Sequence, residues 1–288
     1  MVSTWYKMGI LWSLVLGLWQ LHCQSQGPTI GAPLMYQTGE PDATYQLPGI
    51  LREISGLAWH NDTLWAIQDE DGLLFKMVPQ KDAINISNFQ FGPKDDYEAL
   101  EWLNGYCYVV TSEAKLWQID PKNRTSRRLP SFWGKKHNVE GLTVTEDGQG
   151  LWLAAKEDHQ DEDRDVIAIN PSNLENPSRP RFSISDDKIK SFIKAQNETG
   201  LKVPDRIAFH SSAIATNPIT GDLFVLSSPE PQLLVLDSKG KIKSWQRLSA
   251  LLYPQPESIC FDPDGTLYIA NEGKHGAATL LVFYPKKS

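Results

Sequence analysis

The amino-acid sequence predicts an all-β protein with the architecture of a five-bladed β-propeller. Three observations predict it: a unit of about 43 residues occurs five times, each unit reads as three or four short strands, and the two chain ends together complete one unit. With 288 residues, of which 41% are hydrophobic, the chain is long enough to bury the core of such a domain.

The five units align on one position near the start of the first predicted strand, which we call the anchor. Each unit continues through a turn rich in Asn, Asp and Gly, a second strand rich in aromatic and β-branched residues, an acidic loop and a third strand. A fourth strand follows in most units, which is typical of a propeller blade rather than of a solenoid or a sandwich. The anchors are Ser55, Glu98, Glu140, Ser212 and Glu257, at spacings of 43, 42, 72 and 45 residues.

The two ends of the chain predict how the ring closes. The last unit stops after its third strand, TLLVFYP at 279–285. The segment ATYQLP at 43–48 precedes Ser55 by the distance at which other fourth strands precede their next anchor. We therefore predict that residues 43–48 pair with the last unit as its outer strand, which leaves no open edge in the ring.

The long spacing between the third and fourth anchors predicts a helical insertion near residues 186–200. Ser185 can cap the helix, and Ile189, Phe192 and Ile193 follow the apolar spacing of a helix. Because this segment joins a fourth strand to a first strand, we expect it to lie over one mouth of the channel. The alternative is a sixth, degenerate blade hidden in the same stretch.

The N-terminus predicts export. Residues 1–25 read as a secretory signal, since the apolar run Met8–Leu21 is too short to span a bilayer. A lipoprotein signal that ends before Cys23 is the alternative, and a lipid there would be the only membrane contact. Either signal places the protein in the periplasm or at the cell surface. We expect residues 26–42 to form a linker and residues 43–288 a single propeller domain.

The net charge bears on which partners the protein can bind, and the cysteine positions bear on whether it contains a disulfide. A net charge of −7 argues against nucleic-acid binding, which depends on Lys and Arg that neutralise phosphates. We expect a monomer. Cys107 and Cys260 both lie in apolar, strand-like runs, so free buried thiols and a disulfide between them both stay open.

Acidic residues recur where strands meet one mouth of the channel. In a propeller blade the first strand lines the channel and the second runs antiparallel to it, so the start of the first meets the end of the second. The aligned second-strand ends hold Asp69, Glu113, Glu157, Glu230, which lies one residue out of register after Pro229, and Glu272. Two residues before the anchors stand Glu53, Asp96, Asn138, His210 and Gln255. The repeat therefore predicts a ring of carboxylates.

Such a ring predicts a calcium site. Crowded carboxylates repel one another unless a cation or hydrogen bonds compensate them. Oxygen ligands favour a hard cation, and Ca²⁺ accepts about six to eight of them. The alternative is that backbone N–H groups or solvent hold these acids. The predicted ligands are Glu98, Glu140, Glu257, Glu113, Glu157 and Glu272, with Asp69 and Asp96 as weaker candidates.

Several of these stretches resemble the SdiA-regulated (YjiK-like) family of exported bacterial proteins. The resemblance runs from about Leu47 to Phe283 and includes ISGLAW, NVEGLTV and PQPESICFDPDGTLYIANEG. It implies a five-bladed propeller with a calcium site in the channel region, and it implies no known activity. The chain departs from the family pattern at Ala99 and Ser258, where Gly is usual, and at the two serine anchors.

Two functions fit this pattern. The first is a non-catalytic, calcium-binding module that presents its acidic mouth to a ligand or a protein. GxSxG, HExxH and CxxC motifs are all missing from the sequence, which favours this function. The alternative is a metal-dependent hydrolase of the lactonase or phosphoesterase type, with His137 and His210 as weak candidates for the base.

Overall fold

Five antiparallel sheets form the described part of the chain. The structure is a computed structural model. The residues that it describes are 27–80, 84–130, 132–133, 137–156, 163–174, 179–196, 200, 203–274 and 276–286. The predicted signal at 1–25 lies outside them.

Each sheet is one blade, and its strands follow chain order from the inside outward, except that the N-terminal strands β1 and β2 lie outermost in the fourth and fifth blades. The first blade holds β3 (Ile54–Trp59), β4 (Leu64–Gln68), β5 (Leu73–Pro79) and β6 (Ile84–Gln90). The second holds β7 (Tyr97–Leu103), β8 (Tyr106–Thr111), β9 (Leu116–Asp120) and β10 (Thr125–Arg128). The third holds β11 (Val139–Val144), β12 (Leu151–Ala155), β13 (Arg164–Ile169) and β14 (Phe182–Ile184). The fourth holds β15 (Ser211–Thr216), β16 (Leu223–Ser227), β17 (Gln232–Leu236), β18 (Ile242–Arg247) and, outermost, β1 (Thr29–Gly31). The fifth holds β19 (Pro256–Phe261), β20 (Leu267–Asn271), β21 (Thr279–Phe283) and β2 (Ala43–Gln46).

The chain closes its ring with the N-terminal strand, as predicted. Strand β2 pairs antiparallel with β21, with Ala43 opposite Val282. The Leu47 amide then donates a hydrogen bond of 2.8 Å to the Ala278 carbonyl. The five inner strands contact one another in sequence, and β19 contacts β3. The five-bladed fold is therefore confirmed, and the six-bladed alternative is wrong.

The predicted linker, residues 26–42, contains ordered structure. Strand β1 pairs with the outer edge of the fourth blade, with Thr29 opposite Gln246. Further along, Tyr36 is buried and its hydroxyl donates a hydrogen bond of 2.7 Å to the Gly265 carbonyl. A three-residue strand with no counterpart in the other blades carries no repeat signal, so sequence comparison within the chain missed it.

The helix α1 (Asp186–Gln196) begins at the predicted residue but does not cover the channel mouth. It contacts β1 and β18, the outermost strands of the fourth blade, and it buries Ile189 and Ile193. Its N-terminal Asp186 forms an ion pair of 2.9 Å with Arg164. The expected position over the channel mouth is therefore wrong, because the apolar stripe of the helix packs against the outer edge of the fourth blade. Within the described ranges, no helix is long and apolar enough to cross a bilayer.

The core lies between neighbouring blades, where each of five apolar clusters joins one pair of blades. Close approach of the inner strands requires glycine at Gly141, since a Cβ there would lie 2.7 Å from Ile214 Cγ2. The central channel is nearly filled, and its cavity has a volume of about 10 Å³. The side chains around it include Leu57, Leu100, Leu142, Ile214 and Ile259.

Cys107 and Cys260, the cysteines among the described residues, are both buried free thiols. Burial raises the pKa of Cys107 and of Cys260 well above the usual range of a thiol. They lie in different interblade clusters, which excludes the disulfide considered from the sequence.

Candidate functional site

All five anchors occupy the same structural feature, a β-bulge at the start of the inner strand. In the third blade Val139 pairs with Ala155 while Gly141 pairs with Ala154, so Glu140 is the extra residue between them. The same register shift occurs in the other four blades. A bulge bends the strand and re-aims a side chain. The repeat thus brings the anchor side chains to one mouth of the channel.

The three anchor glutamates form a mutually repelling group at that mouth, which we call the bulge glutamates. Glu140 is 6% exposed, whereas Glu98 and Glu257 are half-buried. Burial, reinforced by the Glu140 carboxylate, raises the pKa of Glu98 to about 10. Burial also raises the pKa of Glu140 to about 7, although Lys156 opposes this shift. Glu257 shifts in the same direction for the same reason.

Lys156 provides a positive charge inside the predicted acidic ring. Its Nζ lies 3.1 Å from Glu140 Oε1. Burial alone would lower the pKa of Lys156, but the carboxylates of Glu140 and Glu257 outweigh this effect and raise it. Alignment of the repeats by their acidic residues did not find this lysine, although it directly follows the last residue of β12 and precedes Glu157.

The predicted alignment of the second-strand ends is wrong in three blades. At these ends a backbone N–H donates to the carbonyl of the residue two positions before the anchor, which identifies the equivalent positions. They are Asp69, Ser112, Lys156, Ser228 and Glu272. Glu113 and Glu230 lie one and two residues further on, and Glu113 instead pairs with Lys115 at 3.1 Å. The bulges and the unequal loop lengths shifted the register, and Glu157 lies outside the described residues.

A second acidic group lies where the first and fifth blades meet. Burial raises the pKa of Asp69 to about 6, with contributions from the carboxylates of Glu53 and Glu272. Gln255 Nε2 donates a hydrogen bond to Glu272, and burial raises the pKa of Glu272 as well. In the neighbouring blade, Asp96 accepts a hydrogen bond from the Ser112 hydroxyl.

Several oxygen atoms at this mouth are buried without a hydrogen-bond partner among the described residues. They include Ser55 Oγ, Asp69 Oδ1 and Gln255 Oε1. A buried oxygen without a donor costs free energy, so each is available to a ligand that supplies positive charge or a proton. Ser55 is one of the two anchors that sequence analysis set aside for lacking a carboxylate.

The two candidate histidines lie at the strand ends of the same mouth. His137 stacks on Trp133, with ring centroids 4.2 Å apart. The backbone amide of His210 donates to Ser227 Oγ at 2.9 Å. The role of His137 and His210 as general bases stays a prediction.

Within the described ranges, no three His, Cys, Asp or Glu side chains form a group that could hold a metal ion. Lys156 holds Glu140, and the Ser228 hydroxyl donates to Glu257 Oε1 at 2.9 Å. Two of the bulge glutamates thus already have a partner within the protein. The predicted calcium site is therefore not confirmed.

Fold and mouth together define this chain as a closed five-bladed β-propeller with a buried acidic mouth and one inserted lysine. The profile of the SdiA-regulated family matches residues 41–275, and the chain belongs to this family. No curated protein matches it.

Solved structures match the chain at low sequence identity. The nidogen/laminin complex matches at 9% identity and a TM-score of 0.48, covering 76% of this chain and 72% of that chain. A protein of unknown function from Bacteroides thetaiotaomicron matches at 9% identity and a TM-score of 0.48, covering 89% of this chain and 76% of that chain. A calcium-binding protein, regucalcin, from Agrobacterium tumefaciens matches at 11% identity and a TM-score of 0.46, covering 81% of this chain and 91% of that chain. These values are too low to carry an argument about function.

Proposed function

We propose that this SdiA-regulated protein is a non-catalytic binding module whose acidic mouth takes up a cation, with Ca²⁺ as the first candidate. The observation that carries the proposal is the charge balance of the mouth. Three bulge glutamates face one ammonium, and with all three ionised the group carries a charge of −2. The raised pKa of Glu98, about 10, keeps that acid protonated at neutral pH until a cation binds. A divalent cation neutralises that charge and favours the ionised form of all three acids, whose pKa values burial raises.

The donor chemistry supports Ca²⁺ over a softer metal. Carboxylate oxygens, with the buried Ser55 hydroxyl and Asp69 oxygen beside them, are hard ligands, and Ca²⁺ tolerates irregular geometry. Binding requires that Lys156 release Glu140 and that the bulge glutamates move toward one another. Lys156 therefore competes with the cation, and it keeps the mouth folded when no cation is bound.

The test is a calcium titration of the purified protein by calorimetry, paired with thermal melts in calcium and in chelator. Saturation at about 100 times the Kd stabilises the folded state by about 2.7 kcal/mol. Glu98→Gln is expected to weaken binding at least tenfold, since it removes one charged ligand. Glu40→Gln, at an exposed position away from the mouth, is the matched control and should bind as wild type does. No heat of binding and equal melting temperatures in calcium and chelator would rule the proposal out.

Export and the partner are part of the same proposal. The predicted signal at 1–25 delivers the module to the periplasm or cell surface, where its mouth meets a ligand or protein outside the cytoplasm. Cell fractionation with N-terminal sequencing tests export. Labelling with a radioactive fatty acid, compared between wild type and Cys23→Ser, separates the lipoprotein signal from ordinary cleavage.

The hydrolase alternative uses the same mouth. It predicts metal-dependent turnover of a lactone or a phosphoester that is lost in His210→Ala, with His137→Ala as the second variant. Turnover that is indifferent to both metal and His210 would contradict it.

A further inference from the structure

A second candidate site lies at the opposite end of the first two blades. A cleft of about 560 Å³ opens there, which is within the usual range of about 300–1,000 Å³ for ligand pockets. His60 follows the last residue of β3, and Trp102 lies near the end of β7, whereas the anchors lie at the starts of these strands. The cleft is therefore separate from the acidic mouth.

The floor of the cleft is aromatic. The rings of His60 and Trp102 stack at 3.8 Å between centroids, with an angle of 6° between their planes. Trp65 packs against Trp102 at 5.3 Å, and its indole N–H donates to the His60 carbonyl at 3.4 Å. Burial lowers the pKa of His60, which keeps its imidazole neutral at pH 7. The result is a flat, uncharged plate that is still half-exposed.

The wall of the cleft is cationic in a protein whose net charge is −7. Lys76, Lys122 and Arg124 all line it and are all exposed. Neither Lys76 nor Arg124 makes an ion pair with a described residue. Asp120 accepts the backbone N–H groups of Lys122 and Asn123, which fixes the turn that carries these cations. A positive wall in an acidic protein points to an anionic ligand.

Neutral hydrogen-bonding groups complete the lining. Ser87 lies opposite Lys76 on β6, is exposed, and lines the cleft, as does the exposed Asn61. We propose that this cleft binds an acidic saccharide of one or two rings, such as a uronic acid. The aromatic plate takes the apolar face of the sugar ring, Arg124 and Lys76 take the carboxylate, and the polar side chains take hydroxyl groups.

A nucleotide is the ligand that this chemistry favours less. Phosphate groups in proteins are commonly held by backbone N–H groups at a helix N-terminus or a glycine-rich loop. In this cleft the phosphate groups of a nucleotide would instead be held only by flexible side chains on exposed strands and on one turn. Several neutral partners beside a single cationic wall suit a molecule with many hydroxyl groups and one or two carboxylates.

The probe is digalacturonic acid, and binding is followed by tryptophan fluorescence and by calorimetry on the full protein. Its neutral counterpart, galactobiose, is expected to bind at least tenfold more weakly, because a charge-assisted contact to Arg124 is lost. Arg124→Gln should weaken the acidic disaccharide by about tenfold and leave the neutral one unchanged. Lys239→Gln, an exposed lysine in a turn at the same end of the fourth blade, is the matched control and should change neither.

Trp102→Leu should abolish binding of both sugars, and a thermal melt shows whether that variant is folded. If it is not, the comparison of Arg124→Gln with Lys239→Gln decides. Equal affinity for the acidic and the neutral sugar would overturn the proposal, as would equal effects of these two variants. Tighter binding of adenosine monophosphate than of digalacturonic acid would assign the cleft to a nucleotide instead.

Discussion

The ion pair between Lys156 and Glu140 is the most direct test of how the mouth is held together. Lys156→Met keeps the length of the side chain and removes its charge. Glu140 then remains 6% exposed, beside Glu98 and Glu257, with no ammonium at 3.1 Å. We expect this variant to be destabilised in chelator at pH 8, where the carboxylates are most ionised.

The magnitude follows from the geometry. At 3.1 Å and an effective dielectric constant of about 20, the attraction is about 5 kcal/mol. The Lys156 side chain is 28% exposed, so solvent screens part of it. Removal of one partner from a buried pair costs about 3–5 kcal/mol, and we take the lower value of about 3 kcal/mol. In a domain of this size that lowers the Tm by about 6–12 °C.

The assay is urea unfolding and thermal melting of wild type, Lys156→Met, Glu140→Gln and the double variant. The double variant should recover most of the loss, since a neutral amide no longer needs the ammonium. Lowering the pH should also reduce the loss, because the pKa of Glu140 is raised and the protonated acid is tolerated when buried. The reasoning is refuted if Lys156→Met is as stable as wild type at pH 8, or if the double variant is no more stable than the single one.

Three further predictions address charge, packing and closure. The folded-state pKa of Glu98 is about 10 against an ordinary 4.5, so its protonated form favours folding, and stability is lost as pH rises between these values. Glu98→Gln should therefore flatten the pH dependence of the urea midpoint, and an unchanged profile would contradict the assignment. Gly141→Ala should cost about 1–3 kcal/mol in the same assay, since its methyl group would meet Ile214, whereas Gly49→Ala, with open space around it, should be neutral. Leu47→Ala should cost about 2–4 kcal/mol, since Leu47 is 3% exposed beside the closing strand; a loss below 1 kcal/mol would mean that closure depends little on it.

The sequence predicted the site less well than the fold because the fold depends on repeat spacing, whereas the site depends on the register of residues at the strand ends. Repeat spacing identifies blades, and it placed all five anchors at one structural position, the bulge. It could not show which residue after each second strand occupies the equivalent position. Glu113, a predicted ligand, instead forms an ion pair with Lys115. Lys156, which was not predicted, forms an ion pair with Glu140 at the mouth.

The aromatic cleft shows the same limit. The cleft combines His60 from the turn after β3, Trp65 from β4 and Trp102 from β7. No repeat spacing in the chain links these three positions. Their stacking depends on how closely the two blades pack, which is a property of the interface rather than of either repeat.

The sequence by itself determined the number of blades, the closing strand and the acidic character of one mouth, because all of these follow from local periodicity and hydrogen-bonding pattern. Tertiary structure decided where the helix rests, that β1 extends the fourth blade, and that Lys156 enters the acidic ring. These outcomes depend on long-range packing and on charges brought together from different blades, and such contacts leave no periodic trace in the chain.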